Sequence, residues 1–246
     1  MESIDVMPIA WGSIVFCDFD GPIADVSDRY YSTYKRALDA TCAAYQTVGA
    51  SPLPIRLLAK QQFWHMKQTR VPDPVIADWS GLGGEQIDYF LTQVEQLVNQ
   101  THLLHQDCLQ PGAREALLKF QRQGIRLVIV TLRHTAQVLQ FLHEHDLATT
   151  VSQIYGATDT TATYPNRVEH KIASLKYALS DQTQQGFSAG SAWMIGDTEA
   201  DIRAGQTAGL PTLGLTCGIR SQQHLEACMP TIITGDLHRA AQLLLA

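Results

Sequence analysis

Nowhere in this sequence do lysines and arginines gather into a run, and nowhere is there an apolar stretch of membrane-spanning length. With 18 basic against 24 acidic residues, the formal net charge is -6. Such a surface offers no electrostatic footprint for nucleic acid or for an anionic membrane. A small anionic ligand stays compatible with it, because one pocket can gather a few cations inside an acidic protein. Cysteine is scarce and scattered: five residues, at positions 17, 42, 108, 217 and 228, with no C-x-x-C pair. That suggests neither a disulfide framework nor a zinc site, and it suits a reducing compartment. Cys17 lies inside an apolar run and reads as a small core hydrophobe. The opening segment MESIDVMPIA carries acidic rather than basic residues, so no signal peptide is expected and the cytoplasm is the expected location. There is no internal repeat and no low-complexity stretch. What is present is 45% hydrophobic residues over 246 positions, enough for one large domain or a domain with an insert. A monomer or a homodimer is expected.

Short apolar runs alternate with helical patterns. Residues 13–19, SIVFCDF, read as a buried strand running into a loop. Residues 125–131, 192–196 and 211–216 repeat that pattern, with a weaker strand at 151–155. Helical periodicity covers 111–123, 135–145, 168–180 and 198–208. This alternation predicts βαβ units and a mainly parallel sheet, an α/β fold. Ligands of such sheets bind outside the carboxyl ends of the strands. One block breaks the pattern. From about residue 25 to about 107 the helical patterns 28–48, 54–68 and 86–99 appear without a convincing strand. The proline- and glycine-rich segment between the last two is not one helix. The block reads as a helical insert grown out of the loop after the first strand.

The strand ends carry the chemistry. Asp18-Phe19-Asp20-Gly21 follows the first strand, and Thr131-Leu132-Arg133 follows the second. Gly196-Asp197-Thr198-Glu199-Ala200-Asp201 follows the next. If these strands are neighbours, four carboxylates and a hydroxyl converge on one crevice. Like charges so crowded need a cation. A hard divalent ion with oxygen ligands answers that need, and magnesium also keeps substrate phosphate in its shell. Asp18 and Asp20 straddle a strand end, so one can face a substrate while the other follows the loop. Two carboxylates with separate duties suit a two-step phosphoryl transfer: one attacks phosphorus, the other protonates the leaving alcohol and later activates water. Gly21 lets the backbone approach a phosphate with no side chain between.

Asp18-x-Asp20-Gly21, Thr131 after a strand, a downstream lysine and Gly196-Asp197-x-x-x-Asp201 together resemble the four motifs of the haloacid dehalogenase superfamily. The likeness covers residues 13–24 and 108–234. It implies a Rossmann-like parallel-sheet core with helices on both faces, formed by 1–24 and 108–246, and a helical cap domain at 25–107. It implies Asp18 as the nucleophile that forms an aspartyl-phosphate and Asp20 as general acid and base. The phosphoryl group would be held by Gly21, Thr131, Leu132, Arg133 and Lys171. Mg2+ would be held by Asp18, the backbone carbonyl of Asp20, Asp197 and, through water or by pairing with the lysine, Asp201. Lys171 is preferred to Lys176 for the third motif, because a helix start near the crevice also offers backbone N–H groups. Pro22 departs from the threonine that the family often carries there, and removes one donor near the loop.

Blander readings apply to the other features. GLGG at 81–84 follows no strand, so it reads as a turn within the insert rather than a dinucleotide loop. His143 and His145 flank Glu144 at a helix end and supply no third metal ligand. The expected function is hydrolysis of a small phosphorylated metabolite, phosphoglycolate first, as in phosphoglycolate phosphatase-like members. A β-phosphoglucomutase-like phosphomutase shares every core motif and is the nearest rival. A halide-releasing dehalogenase would not need Asp20 and magnesium. A catalytically silent binding protein on the same fold is the alternative from another class, and the intact acid set argues against it.

A cap can close over the crevice and supply specificity contacts. Trp64, Lys67 and Arg70, near the proline-rich turn, are the candidates for such contacts. Arg70→Ala is then expected to raise KM for the true substrate while hydrolysis of a generic aryl phosphate stays nearly unchanged. Steady-state kinetics on both substrates check it, and equal losses on both mark a structural role.

Overall fold

In a computed structural model of the chain, the described residues are 8–46, 53–157 and 168–246. The N-terminal residues 1–7, and residues 47 and 48 at the expected end of the first insert helix, lie outside them. The chain divides into two compact units: residues up to Ala24 with Leu109–Ala246, and Asp25–Cys108.

In chain order the first unit opens with β1 (Ile14–Cys17), and β2 (Ala24–Asp25) leads out of it. The second unit holds α1 (Ser27–Tyr45), α2 (Lys60–Gln68), α3 (Asp73–Trp79), α4 (Glu85–Leu97) and α5 (Thr101–Leu104). β3 (Cys108–Leu109) pairs with β2 in a two-stranded sheet. Then follow α6 (Ala113–Arg122), β4 (Arg126–His134), α7 (Thr135–Glu144), β5 (Gln153–Ala157) and α8 (Val168–Gln184). The chain ends with β6 (Trp193–Gly196), α9 (Glu199–Thr207), β7 (Thr212–Leu215), α10 (Gln222–Glu226), β8 (Ile232–Thr234) and α11 (Leu237–Leu244).

The large sheet has six strands in the order β5-β4-β1-β6-β7-β8, paired in parallel throughout. β1 lies inside it, and all four of its residues are fully buried. Ile14 and Phe16 pack with Val128, Val130 and Met194 of neighbouring strands, with Leu175 and Ala178 of α8 and with Ala204 of α9. Val15 and Cys17 alternate onto the opposite face and are buried there too. A strand covered on both faces is why IVFC reads as an unbroken apolar run rather than an alternating one. The fold is therefore α/β, a parallel sheet flanked by helices. Strand order reverses at β1: β4 and β5 extend the sheet on one side, and β6, β7 and β8 on the other. The carboxyl ends around that reversal are where such sheets open a crevice.

Three elements differ from the sequence expectation. β4 runs on to His134 instead of ending at Thr131, because pairing with β5 resumes at His134 after an irregularity following Val130. α2 begins at Lys60 rather than at 54, and the extended residues before it pair elsewhere, Arg56 N donating to Ser80 O at 3.0 Å. The proline-rich segment contains α3, with Pro74 in its first turn, where a missing N–H costs nothing. Beyond β7 the structure adds α10, β8 and α11, which periodicity had not singled out. β8 is only three residues long and half-buried.

The second unit has a core of its own. Tyr34, Ala37 and Leu38 recur at helical spacing on α1 and pack with Phe63, Met66, Ile76 and Phe90. The Tyr34 ring stacks on Phe63 with centroids 4.8 Å apart. Its hydroxyl meets Ser80 Oγ at 2.8 Å and accepts from Leu58 N at 3.1 Å. Arg29, in the first turn of α1, is 1% exposed. Its Nε reaches Asp107 Oδ1 at 2.9 Å, and its Nη1 donates to Val98 O and Asn99 Oδ1 at 3.1 Å each. The start and the return segment of the insert are thus tied by one buried cation. Removing one partner of a buried pair leaves the other charge uncompensated. Arg29→Met is therefore expected to lower the unfolding free energy by about 3–5 kcal/mol. Adding Asp107→Leu should recover most of that loss. Urea denaturation of both variants checks it.

Candidate active site

The loops after β1, β4 and β6 converge because their strands are neighbours in the sheet. Asp18 follows β1 directly and continues its ladder, its N–H donating to Ile195 O at 2.9 Å. One carboxylate oxygen, Oδ1, accepts from Phe19 N at 2.7 Å. The other, Oδ2, lies 2.8 Å from Lys171 Nζ. Lys171 projects from the first turn of α8, which Leu175 and Ala178 dock against the sheet. The same ammonium is 2.9 Å from Asp201 Oδ1. Asp201 Oδ2 in turn accepts from Thr198 N and Thr198 Oγ1, at 3.1 and 2.7 Å, in the capping box that opens α9. Asp201 is therefore a helix-capping acid and a lysine partner at once.

Asp197 completes the group. Carboxylate oxygens of Asp18, Asp197 and Asp201 lie within 4.8 Å of one another, and all three residues are buried. Asp197 Oδ2 accepts from Ile219 N at 2.7 Å. Asp197 Oδ1 is buried and, among the described residues, has no hydrogen-bond partner. Backbone crowds this carboxylate. A Cβ on Gly21, whose φ is +95°, would lie 2.3 Å from it, and one on Gly218 would lie 1.9 Å away. Gly21 N donates to Ala24 O at 2.8 Å, and the missing side chain lets this backbone lie close to Asp197. Only residues without a side chain fit there.

The charges do not balance. Three buried carboxylates surround one ammonium. Burial alone would lower the Lys171 pKa, but Asp18 and Asp201 outweigh it and the net displacement is upward. Asp18 shows the converse: burial raises its pKa against the pull of Lys171, Asp201 adds to the rise, and the result is about 7. Asp197 is likewise pushed well up, first by burial and then by Asp201 and Asp18. Burial also pushes the neighbouring Cys17 thiol up, so Cys17 is an inert core residue. A partnerless buried oxygen beside an excess of negative charge is the environment that a hard divalent cation resolves. The donor set, all carboxylate, is of the kind that such ions select.

Asp20 stands apart from the three. Its carboxylate is partly exposed and lies 3.1 Å from Arg133 Nε, which is nearly fully buried. The Arg133 guanidinium also covers the Phe19 ring at 5.0 Å. Thr131, 2% exposed, accepts from Arg133 N through Oγ1 at 3.2 Å. Leu132, between them, is half-buried. In the second unit Lys67 pairs with Asp73 at 2.6 Å, and Trp64 meets the edge of Tyr30 at 6.2 Å. Arg70 is exposed, with φ +58°. Two features escaped the sequence reading. One is the Ile219 N–H on Asp197. The other is Glu199, whose carboxylate receives Arg220 Nε at 2.9 and 3.1 Å. Neither is near its partner in sequence, and the only signal was a glycine, Gly218, shortly after a strand.

The family described as haloacid dehalogenase-like hydrolase matches residues 14–215. The phosphoglycolate phosphatase of Aliivibrio fischeri is 26% identical over 128 residues, 52% of this chain and 53% of that protein. In that match the chain spans about half the length of its relative. The phosphoglycolate phosphatase of Psychrobacter arcticus is 25% identical over 240 residues, covering 94% of this chain and 95% of the relative. Among solved structures, a haloacid dehalogenase-like family hydrolase from Streptococcus pneumoniae superposes with a TM-score of 0.65. It is 16% identical and covers 94% of this chain and 97% of its own, a likeness of fold. With the family match running from the first residue of β1 to the last residue of β7, the chain belongs to the haloacid dehalogenase-like hydrolases.

Proposed function

We propose that this chain is a magnesium-dependent phosphatase that hydrolyses the phosphate monoester of a small metabolite through an aspartyl-phosphate on Asp18. The observation that carries this reading is the buried trio of carboxylates around a single ammonium, with Asp20 held outside it. The names of the two curated relatives make phosphoglycolate the first substrate to try. Among the described residues no helix is long and apolar enough to cross a membrane.

Asp18 Oδ attacks phosphorus, and the bond from phosphorus to the ester oxygen breaks. Asp20 gives its proton to the departing alkoxide, which leaves as the alcohol. Asp20, now ionised, takes a proton from water. The resulting hydroxide attacks phosphorus, and inorganic phosphate leaves with Asp18 restored. Arg133 holds Asp20 at the edge of the trio while it exchanges protons. Lys171 and the Thr131 hydroxyl hold the phosphoryl oxygens, and Lys171 also orients Asp18. Asp18, Asp197 and the backbone carbonyl of Asp20 would hold Mg2+, with Asp201 beside them. The ion supplies positive charge that keeps Asp18 ionised and offsets charge on the phosphoryl group. The Asp25–Cys108 unit serves as a cap carrying specificity contacts, with Trp64, Lys67 and Arg70 as its candidates.

Asp18→Asn should lower turnover by at least roughly 10³-fold, the scale seen when a covalent nucleophile is removed. A phosphate-release assay on phosphoglycolate measures it, and retained activity would rule out the covalent route. Chelation should abolish release and added Mg2+ restore it. Isomerised product without free phosphate, together with a bisphosphate requirement, would point to a mutase instead.

The electrostatics predict a second behaviour. In the metal-free protein the Asp18 carboxyl is raised to about 7, against roughly 4 in the unfolded chain. Between those values the folded state binds more protons than the unfolded one, so stability falls as pH rises through the window. Tm in chelator should therefore drop between pH 5 and pH 8, and Mg2+ should flatten that drop. Identical pH profiles with and without Mg2+ would contradict the metal assignment.

A further inference from the structure

The loop after β7, residues 216–221, comes from a strand that bears none of the four motifs, yet it touches the candidate metal site directly. Gly218 lies against the Asp197 carboxylate, and Ile219 N–H donates to Asp197 Oδ2. The loop is moored on both sides of that contact. On one side, Cys217 Sγ reaches Gly21 O at 3.5 Å, and Cys217 O accepts from Gln110 Nε2 at 3.3 Å. On the other, Arg220 Nε reaches both oxygens of Glu199, and its Nη1 donates to Ile219 O at 3.1 Å. Arg220 therefore grips the carbonyl of the very residue whose N–H binds Asp197. Glu199 is the first residue of α9, two positions beyond Asp197.

We propose that Glu199 and Arg220 are positioning residues for Mg2+: they clamp the 216–221 loop so that Ile219 N–H holds Asp197 Oδ2 and leaves Oδ1 aimed at the ion. This rests on the metal-dependent phosphatase reading. The clamp differs from an ordinary surface pair, which solvent screens to little effect. Its side chains are only 16% and 10% exposed, and one of them continues into the hydrogen bond that orients a metal-binding carboxylate. Two duties are divided between the oxygens of Asp197. A backbone N–H fixes the orientation through Oδ2, and Oδ1 carries the unspent negative charge. Loosening the loop lets the carboxylate rotate and disperses that charge over several orientations. Partners of metal ligands act in this way, by fixing geometry rather than by touching the ion.

The test is calorimetric titration of Mg2+ into the chelator-treated full chain, alongside steady-state phosphate release. Glu199→Gln, Arg220→Gln and the double variant are compared with the parent, with circular dichroism reporting folding. Each single change is expected to weaken Mg2+ binding about 10–100-fold, with kcat at saturating Mg2+ kept within roughly threefold. The double variant should bind no more weakly than the worse single one, since both break the same clamp. The isosteric Glu199→Gln decides alone if the arginine variant does not fold. Unchanged Mg2+ affinity in folded variants overturns the clamp, and so does a loss confined to kcat. A parent protein that takes up no Mg2+ overturns the phosphatase reading as well, so the two failures are distinguishable.

Discussion

The ammonium of Lys171 between the carboxylates of Asp18 and Asp201 is the contact on which the rest of the site depends. A lysine 1% exposed would ordinarily surrender its proton, because burial disfavours the charged form. Here two carboxylates at 2.8 and 2.9 Å hold the proton in place. The arrangement needs α8 docked on the sheet, since Lys171 precedes Leu175 and Ala178 of the buried face by four and seven residues. It also needs α9 capped, because the carboxylate that caps it is the second partner of the lysine. Core packing, helix capping and site charge are one problem with one solution.

That solution leaves negative charge over, and the surplus is concentrated at Asp197. Its neighbours are backbone: Gly21 from the loop after β1, and Gly218 and Ile219 from the loop after β7. The site is therefore drawn from more strands than the motif-bearing ones. A parallel sheet with a reversal in strand order brings those ends together without requiring them to be near in sequence. Asp20 and Arg133 form a separate pair at the edge, although the Asp20 charge still adds to the rise at Asp18.

The insert solves a different problem. Its core of stacked and tilted aromatic rings, and the Arg29–Asp107 tie between its start and its return segment, make it a compact unit in its own right. Insertions into surface loops are tolerated when the inserted chain can bury its own apolar faces.

Much of this was legible in sequence where the signal is local. The unbroken run IVFC, the helical stripes of α6, α7, α8 and α9, and the acids at the strand ends each follow from a short stretch of chain. A buried parallel strand must be apolar throughout, and a helix on a sheet must be apolar on one side. The order of motifs along the chain carried the family resemblance. What no local pattern contains is which strands adjoin, and so which loops meet. Only the tertiary structure put Arg133 on Asp20. Only it brought the 216–221 loop onto Asp197 and set Arg220 on Glu199. These contacts bridge segments that strand order alone brings together, and strand order is decided by the packing of the whole sheet rather than by any residue's neighbours in the chain.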